Sequence, residues 1–511
     1  MKKKQFAIVV ILLCLFVKVQ AQSKIFKEIS EDIKSATFTI MQEKAVVGYL
    51  VFTQLEKASV DSFNYRLTIM DENLNDIGKV DFKDNQLELQ SIAFENDILA
   101  LGYLKVINGA KKGAINKRFV QLHFLNLDGK IVKKQELKLP DQPVVKSQII
   151  WFGNYKNFKG QVSTHVQINA AKNKGFSCLY TDDETSNLLF YDFSGEQFWK
   201  KKIKIGEGGG FAQAANGYIY ILTSEKDATS KYVPKINAYS CDNGEGGMVY
   251  NLKDKFRHNL AITTFSPDPQ TGNLCVAGRV EKSSMSDPSV TNFYAKKNYV
   301  GVFTLIFNGN TKKNVVEKFS YWNDNSSQPL IKSNGKIVEL NGYHTLAASF
   351  RDFSGNTYFA GNILNRRTRI VNNLISPYFL FLNVLFKGVN KYKNLDGCVL
   401  KQDATGKLSV ANDIPLKKQN FSMGKVLYDG YYNDRRFYPI ANATNNNNYL
   451  IIDDKEYVTI FDVTKNKVVK TINHKEDRRT TIEVSGAKEG HIMIIEYNKK
   501  EKTTKLSIEA I

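Results

Sequence analysis

A chain of 511 residues with 42% apolar and 24% charged residues is long enough to bury a large core and too apolar to be a disordered chain. Five cysteines in that length exclude a disulfide-stapled scaffold. The formal charge of +20 is spread along the chain rather than blocked, which argues for a solvated basic surface and against a dedicated nucleic-acid arm.

The first residues, MKKKQFAIVVILLCLFVKVQAQ, combine a cationic start, an apolar run from Phe6 to Val17 and a small residue, Ala21, ahead of Gln22. This is the layout of a secretory signal peptide, with an apolar run too short to span a bilayer. The chain is therefore expected to be exported, periplasmic or secreted, with Gln22 as its mature N-terminus and no transmembrane span. Cys14 follows Leu13 rather than a small residue, which argues against a lipoprotein. Loss of the four signal lysines lowers the charge from +20 to +16. Cys178, Cys241, Cys275 and Cys398 remain. Cys178 in FSCLY and Cys275 in NLCVAG lie in apolar strands and read as buried small hydrophobes, although one pair has the option of bonding after export. Residues 22–36 read as a lead-in, with Ile25, Ile29 and Ile33 at helical spacing, and 37–511 as one domain.

From there the chain alternates apolar strand runs with turn clusters, an all-β pattern. One unit recurs: a β-branched and aromatic run, a tight polar turn and a second run. It is seen in Tyr65 to Phe82, Val120 to Leu139, Leu188 to Ile205, Lys235 to Leu252, Gly301 to Phe319, Gly397 to Ile414 and most clearly Tyr457 to Ile472, with Ile492 to Ile511 closing the chain. The turns near Gly78, Gly129, Gly195, Gly244, Gly309, Gly406 and Asn466 are 51, 66, 49, 65, 97 and 60 residues apart. A turn at Ser354-Gly355 would divide the long step. Between the hairpins lies a second segment, a polar turn followed by an apolar strand, as in NGYIYILTSE and TGNLCVAGRV. The two segments together suggest four strands per period.

FSPDPQTGNLCVAG (Phe265 to Gly278), YVTIFDVTKNKVVKTI and LLFYDFSGEQFWKKKI resemble the repeats of WD-type and quinoprotein-like β-propellers. The resemblance implies a β-propeller of seven or eight four-stranded blades, closed by an early strand such as TFTIM or AVVGYLVF pairing into the last blade. Paired β-sandwiches are the alternative. No quinone-binding residue carries over, so no cofactor is expected. The start of the mature chain also resembles uncharacterised exported bacterial proteins.

Catalytic signatures fail on context. His123, His165, His258, His344, His474 and His491 have no metal-ligand spacing and read as core or turn residues. IGEGGGFAQ precedes a strand rather than a helix and reads as a turn between blades. TDDETSN and SCDNGEGG read as solvated turns rather than Ca²⁺ loops. The unusual stretch runs from Arg366 to Lys393, where Leu374 to Phe386 is mostly apolar between basic flanks. It reads either as buried strands with basic loops or as a docking patch of Arg366, Arg367, Arg369, Tyr378, Phe379, Phe381 and Lys387. The expected function is a non-catalytic exported propeller that binds a protein or glycan, or an anionic envelope surface. The alternative is a polysaccharide hydrolase or lyase with its site at the channel.

Overall fold

The computed structural model describes residues 22–27, 35–59, 61–107, 115–143, 166–182, 185–204, 210–226, 232–282, 299–324, 327, 330–368, 390–417, 419–422, 435–441, 447–454, 456–474 and 479–511. Apart from a 3-10 turn at Lys312–Asn314, every helix or strand among them is a β-strand. They form eight antiparallel sheets, the blades of a β-propeller.

The first strand, β1 (Gln22–Lys27), belongs to the last blade. Blade 1 holds β2 (Ser35–Gln42), β3 (Ala45–Ser59), β4 (Ser62–Asp71) and β5 (Asp76–Asp84), and blade 2 holds β6 (Gln86–Glu95), β7 (Ile98–Ile107), β8 (Ile115–Asn126) and β9 (Ile131–Pro143). Blade 3 is β10 (Val166–Ala171), β11 (Gly175–Asp182), β12 (Thr185–Tyr191) and β13 (Gln197–Lys204); blade 4 is β14 (Phe211–Ala215), β15 (Tyr218–Lys226), β16 (Tyr232–Ser240) and β17 (Gly246–Asn251). Blade 5 follows with β18 (Asn259–Pro267), β19 (Leu274–Glu281), β20 (Tyr299–Phe307) and β21 (Val315–Tyr321). Blade 6 is larger: β22 (Lys336–Ile337), β23 (Gly342–Arg351), β24 (Thr357–Thr368), β25 (Asn390–Gln402) and β26 (Leu408–Ile414), with β27 (Gln419–Ser422) also paired to β25. Blade 7 is β28 (Arg436–Ala441), β29 (Asn448–Asp453), β30 (Tyr457–Asp462) and β31 (Lys467–Asn473). Blade 8 is β32 (Thr480–Gly486), β33 (His491–Asn498), β34 (Thr503–Ala510) and β1.

The core explains the closure. A single blade presents two apolar faces, and each face is covered by its neighbour. Tyr65 and Leu67 of blade 1 pack with Leu99 and Leu101 of blade 2, and Tyr220 and Ile236 of blade 4 pack with Val276 and Phe303 of blade 5. Tyr49, Val51 and Met70 of blade 1 meet Met493, Leu506 and Ile508 of blade 8, which completes the ring and excludes paired sandwiches. Full burial of each such side chain is worth about 1.5–3 kcal/mol.

Four expectations change. The strand that closes the ring is β1, paired with β34 from Gln22↔Ile508 to Lys27↔Thr503. TFTIM and AVVGYLVF are instead the first two strands of blade 1. The helical spacing of Ile25, Ile29 and Ile33 misleads because residues 22–27 are an outer strand whose Ile25 is 64% exposed, so no periodic apolar face was needed there. The recurring hairpin supplies the two outer strands of a blade and the intervening segment supplies the second, so the innermost strand of most periods was not singled out. Two of those strands, FAQAA and VQINAA, are short and rich in small or polar residues. The innermost strands lie beside one another around the axis, β2 by β6, β6 by β10, β10 by β14, β14 by β18, β18 by β23 and β23 by β28. Finally, the Ser354-Gly355 turn joins the two inner strands of blade 6, so it does not divide the long step into two blades.

Two glycines shape the inner strands. Gly278 and Gly361 face bulges at Ile262/Thr264 and Leu346/Ala348, and a Cβ at either would lie within 2.0 Å of Ala261 O or 1.9 Å of Thr345 O. The bulges set Thr263 and Thr264 against Ser349, with both hydroxyls 2.6 Å from its Oγ.

Antiparallel connectivity gives the ring two unlike faces. The turns between the first and second strands and between the third and fourth strands emerge on one side, the turn face. The longest connection there is 308–314. The other two sets of connections join strand ends on the opposite side, the loop face. All of the long ones, 144–165, 282–298, 322–341, 369–389 and 415–435, belong to it.

Candidate binding surfaces

On the loop face, β24 and β25 pair from Thr357↔Gln402 out to Thr368↔Asn390. The fourth strand, β26, covers only the Gly397–Gln402 part of β25, and β27 takes Lys391 to Asn394. A three-stranded ribbon therefore extends beyond the blade. Arg366 stands opposite Tyr392, and Arg367 opposite Lys391. These four are paired strand residues, where basic loops had been expected. Arg369, Tyr378, Phe379, Phe381 and Lys387, with the whole of Leu374 to Phe386, lie outside the described residues.

Arg435 clamps the root of this ribbon. Its Nε donates to Asp454 Oδ2 at 2.9 Å, Nη1 donates to Asn362 Oδ1 at 3.0 Å and Leu395 O at 3.1 Å, and Nη2 donates to Lys417 O. Both side chains of the ion pair are buried. A planar guanidinium with several fixed donors can tie β24, β25, the segment after β26 and blade 7 together in one contact, which an ammonium cannot do.

The described histidines sit in the core or in turns, as expected. His123 is buried between blades 1 and 2, its Nε2 2.7 Å from Gln121 Nε2, and burial drives it down to about 3. His344, against Cys398 O, falls to about 4 for the same reason. His258 Nδ1 lies 2.8 Å from Asp254 Oδ2, which also accepts from Tyr321 Oη at 2.8 Å. His474 pairs with Asp453, and His491 sits against Glu489 O. His165 lies outside the described residues. The four cysteines among the described residues, Cys178, Cys241, Cys275 and Cys398, are free and buried. Among the described residues there is no group of three metal-ligating side chains, and no helix is long and apolar enough to cross a membrane.

The recurring Asp of the repeats is a turn residue. Asp71, Asp192, Asp352 and Asp403 each accept, through Oδ1, the backbone N–H groups two and four residues ahead, at 2.8–3.0 Å. Asp462 accepts from Lys465 N at 2.8 Å.

A second charged locus, unread in the sequence, occupies the turn-face mouth of the channel. The two-residue β2–β3 turn, Glu43 and Lys44, has positive φ at both positions. Glu43 reaches Lys172 of blade 3 at 2.6 Å. Lys44 comes under the charges of Asp268 in blade 5 and Arg351 in blade 6. Burial, aided by Arg351 and opposed by Cys275 and Asp268, lowers the Lys44 ammonium to about 8. Arg351 Nε lies 3.1 Å from Asp268 Oδ1. The signal that could have found this locus is the innermost strand of each blade, whose end places the turn at the axis.

The chain is similar to several solved structures. Apo AztD from Citrobacter koseri has 10% sequence identity and a TM-score of 0.38, covering 91% of this chain and 96% of its own. A europium-containing methanol dehydrogenase has 9% identity and a TM-score of 0.42, covering 94% and 93%. The WD40 domain of SCAP from fission yeast has 8% identity and a TM-score of 0.39, covering 96% and 98%. No curated protein matches the sequence. A family profile does match, over residues 1–362, from the N-terminus to the sixth blade. The chain thus belongs to the family described as "Family of unknown function (DUF6770)".

Proposed function

We propose that the protein is an exported, non-catalytic binding propeller that holds a protein or glycan in the cell envelope through its loop face, with the β24–β25–β27 ribbon as first contact. The observation that carries this reading is the concentration of every long connection on one face, where the ribbon bearing Arg366, Arg367, Lys391 and Lys393 projects. The +16 charge of the chain without residues 1–21 favours an anionic partner. Acids beside this face already serve the scaffold: Asp454 holds Arg435, and Asp254 holds its own turn, His258 and Tyr321. The layout of residues 1–21 supports export, and cleavage ahead of Gln22 would leave the closing strand at the mature N-terminus.

The test is a binding screen of the mature protein against acidic polysaccharides and anionic lipid vesicles at low and high salt. Binding is expected at low salt, and Arg366→Ser/Arg367→Ser should weaken it about fivefold without unfolding the ring. No binding to any polyanion at low salt would overturn the reading. Turnover of a bound polysaccharide would overturn its non-catalytic part and favour a hydrolase or lyase.

A further inference from the structure

At the turn-face mouth of the channel, three cationic side chains gather around one buried carboxylate. The Arg351 side chain is 9% exposed, and that of Asp268 is fully buried. Their 3.1 Å approach is a contact of charges without an aligned hydrogen bond: Arg351 Nε and Nη1 are buried and have no hydrogen-bond acceptor. Asp268 is already engaged elsewhere, accepting from Gln270 N at 3.1 Å and from Thr271 Oγ1 at 2.9 Å. Lys44 and Lys318 both come under the charges of Asp268 and Arg351. Neither lysine forms a hydrogen bond or ion pair among the described residues.

The neighbouring acids are committed. Glu43 pairs with Lys172 at 2.6 Å, Glu95 accepts from Asn173 N at 3.2 Å, and Asp403 caps its own turn through Thr405 and Lys407. Arg351 balances Asp268 and Asp403 acts on Lys318, which leaves the charge of Lys44 and the unfilled donors of the guanidinium. Half-buried cations without partners are costly, and an anion seated between them would offset that cost.

We infer that this mouth is an oxyanion site that takes a phosphate or sulfate group, free or carried on a larger ligand, between Arg351, Lys44 and Lys318. A tetrahedral oxyanion meets the surplus charge of Lys44, while the guanidinium supplies directional donors. The site lies on the face opposite the ribbon and does not depend on the partner proposed for it.

Calorimetric titration of the intact mature protein with inorganic phosphate and with sulfate, at constant ionic strength and pH 7, tests this directly. Saturable binding is expected, weakened about tenfold by Lys44→Met and in the same direction by Lys318→Met, and unchanged by Arg366→Ser/Arg367→Ser. Binding should also weaken at pH 9. Of the groups facing Lys44, which are the Cys275 thiol, Asp268 and Arg351, the thiol is held protonated up to about 12 by burial, whereas the Lys44 ammonium is lowered to about 8. A parallel titration with a sulfated polysaccharide separates the sources. Competition with phosphate that is lost in Lys44→Met identifies a group carried on a polymer, and phosphate binding without such competition identifies the free ion. No saturable binding of either ion to the folded protein, or binding that both lysine variants leave unchanged, would overturn the inference.

Discussion

The two faces of the ring are built from the same strands and differ in what joins them. On the turn face short connections are held by side chains folded back on their own backbone: four Asp residues cap turns in the same way, and Asp352 also accepts from Tyr358 Oη at 3.1 Å. On the loop face five connections are long, and the tie that holds the ribbon root is a long-range one, Arg435 spanning from Asn362 to Asp454. Local chemistry makes the first face repetitive, because every blade needs the same tight reversal. The second face is free to vary from blade to blade, because loop-closure cost rises only slowly with length. Variation of that kind is what a binding surface requires.

The comparison can be broken at either face. The largest effect is expected from Arg435→Met, which removes the buried guanidinium that Asp454, Asn362, Leu395 and Lys417 share and should cost about 3–5 kcal/mol in urea unfolding. A loss below about 1 kcal/mol would mean that the loop face has no such clamp. On the turn face, Asp352→Ala strands two backbone N–H groups and a buried tyrosine hydroxyl. It should cost about 1–3 kcal/mol by the same measurement, with the other seven blades unaffected.

Acid should loosen the blade interfaces rather than either face. His123 and His344 are held neutral down to about 3 and 4, whereas the unfolded chain takes up protons on histidine near 6.5. The unfolded state therefore binds more protons below 6.5, and stability falls as the pH drops from there toward 4. The slope is about 1.4 kcal/mol per pH unit for each histidine, measured by urea unfolding between pH 7 and 5. The smallest effect belongs to Arg366→Ser/Arg367→Ser, expected within about 0.5 kcal/mol of the parent in the same assay even where binding is lost. A larger loss would make the ribbon part of the scaffold.

Much of the scaffold was legible because it is local. The strand, Asp turn and strand of Tyr457 to Ile472 announce themselves within sixteen residues, and the structure places them as β30 and β31 with Asp462 capping the turn. The glycine run lies outside the described residues at 205–209, and Phe211 to Gln213, read as part of the same turn, open the innermost strand of blade 4. The candidate site was legible only in part. Arg366 and Arg367 were singled out from composition, but their place in paired strands follows from a register with Tyr392 and Lys391 that no local pattern encodes.

The sequence by itself determined that the chain is all-β, built of repeats, and closed by neighbour-on-neighbour burial, because period-two apolar runs and turn residues act over a few residues. Tertiary structure alone decided three things: that there are eight blades, that β1 rather than a later strand closes the ring, and that Lys44, Asp268, Arg351 and Lys318 share one mouth. Each depends on contacts between residues tens to hundreds of positions apart. Innermost strands such as FAQAA carry little apolar signal because their neighbours, and not their own composition, bury them.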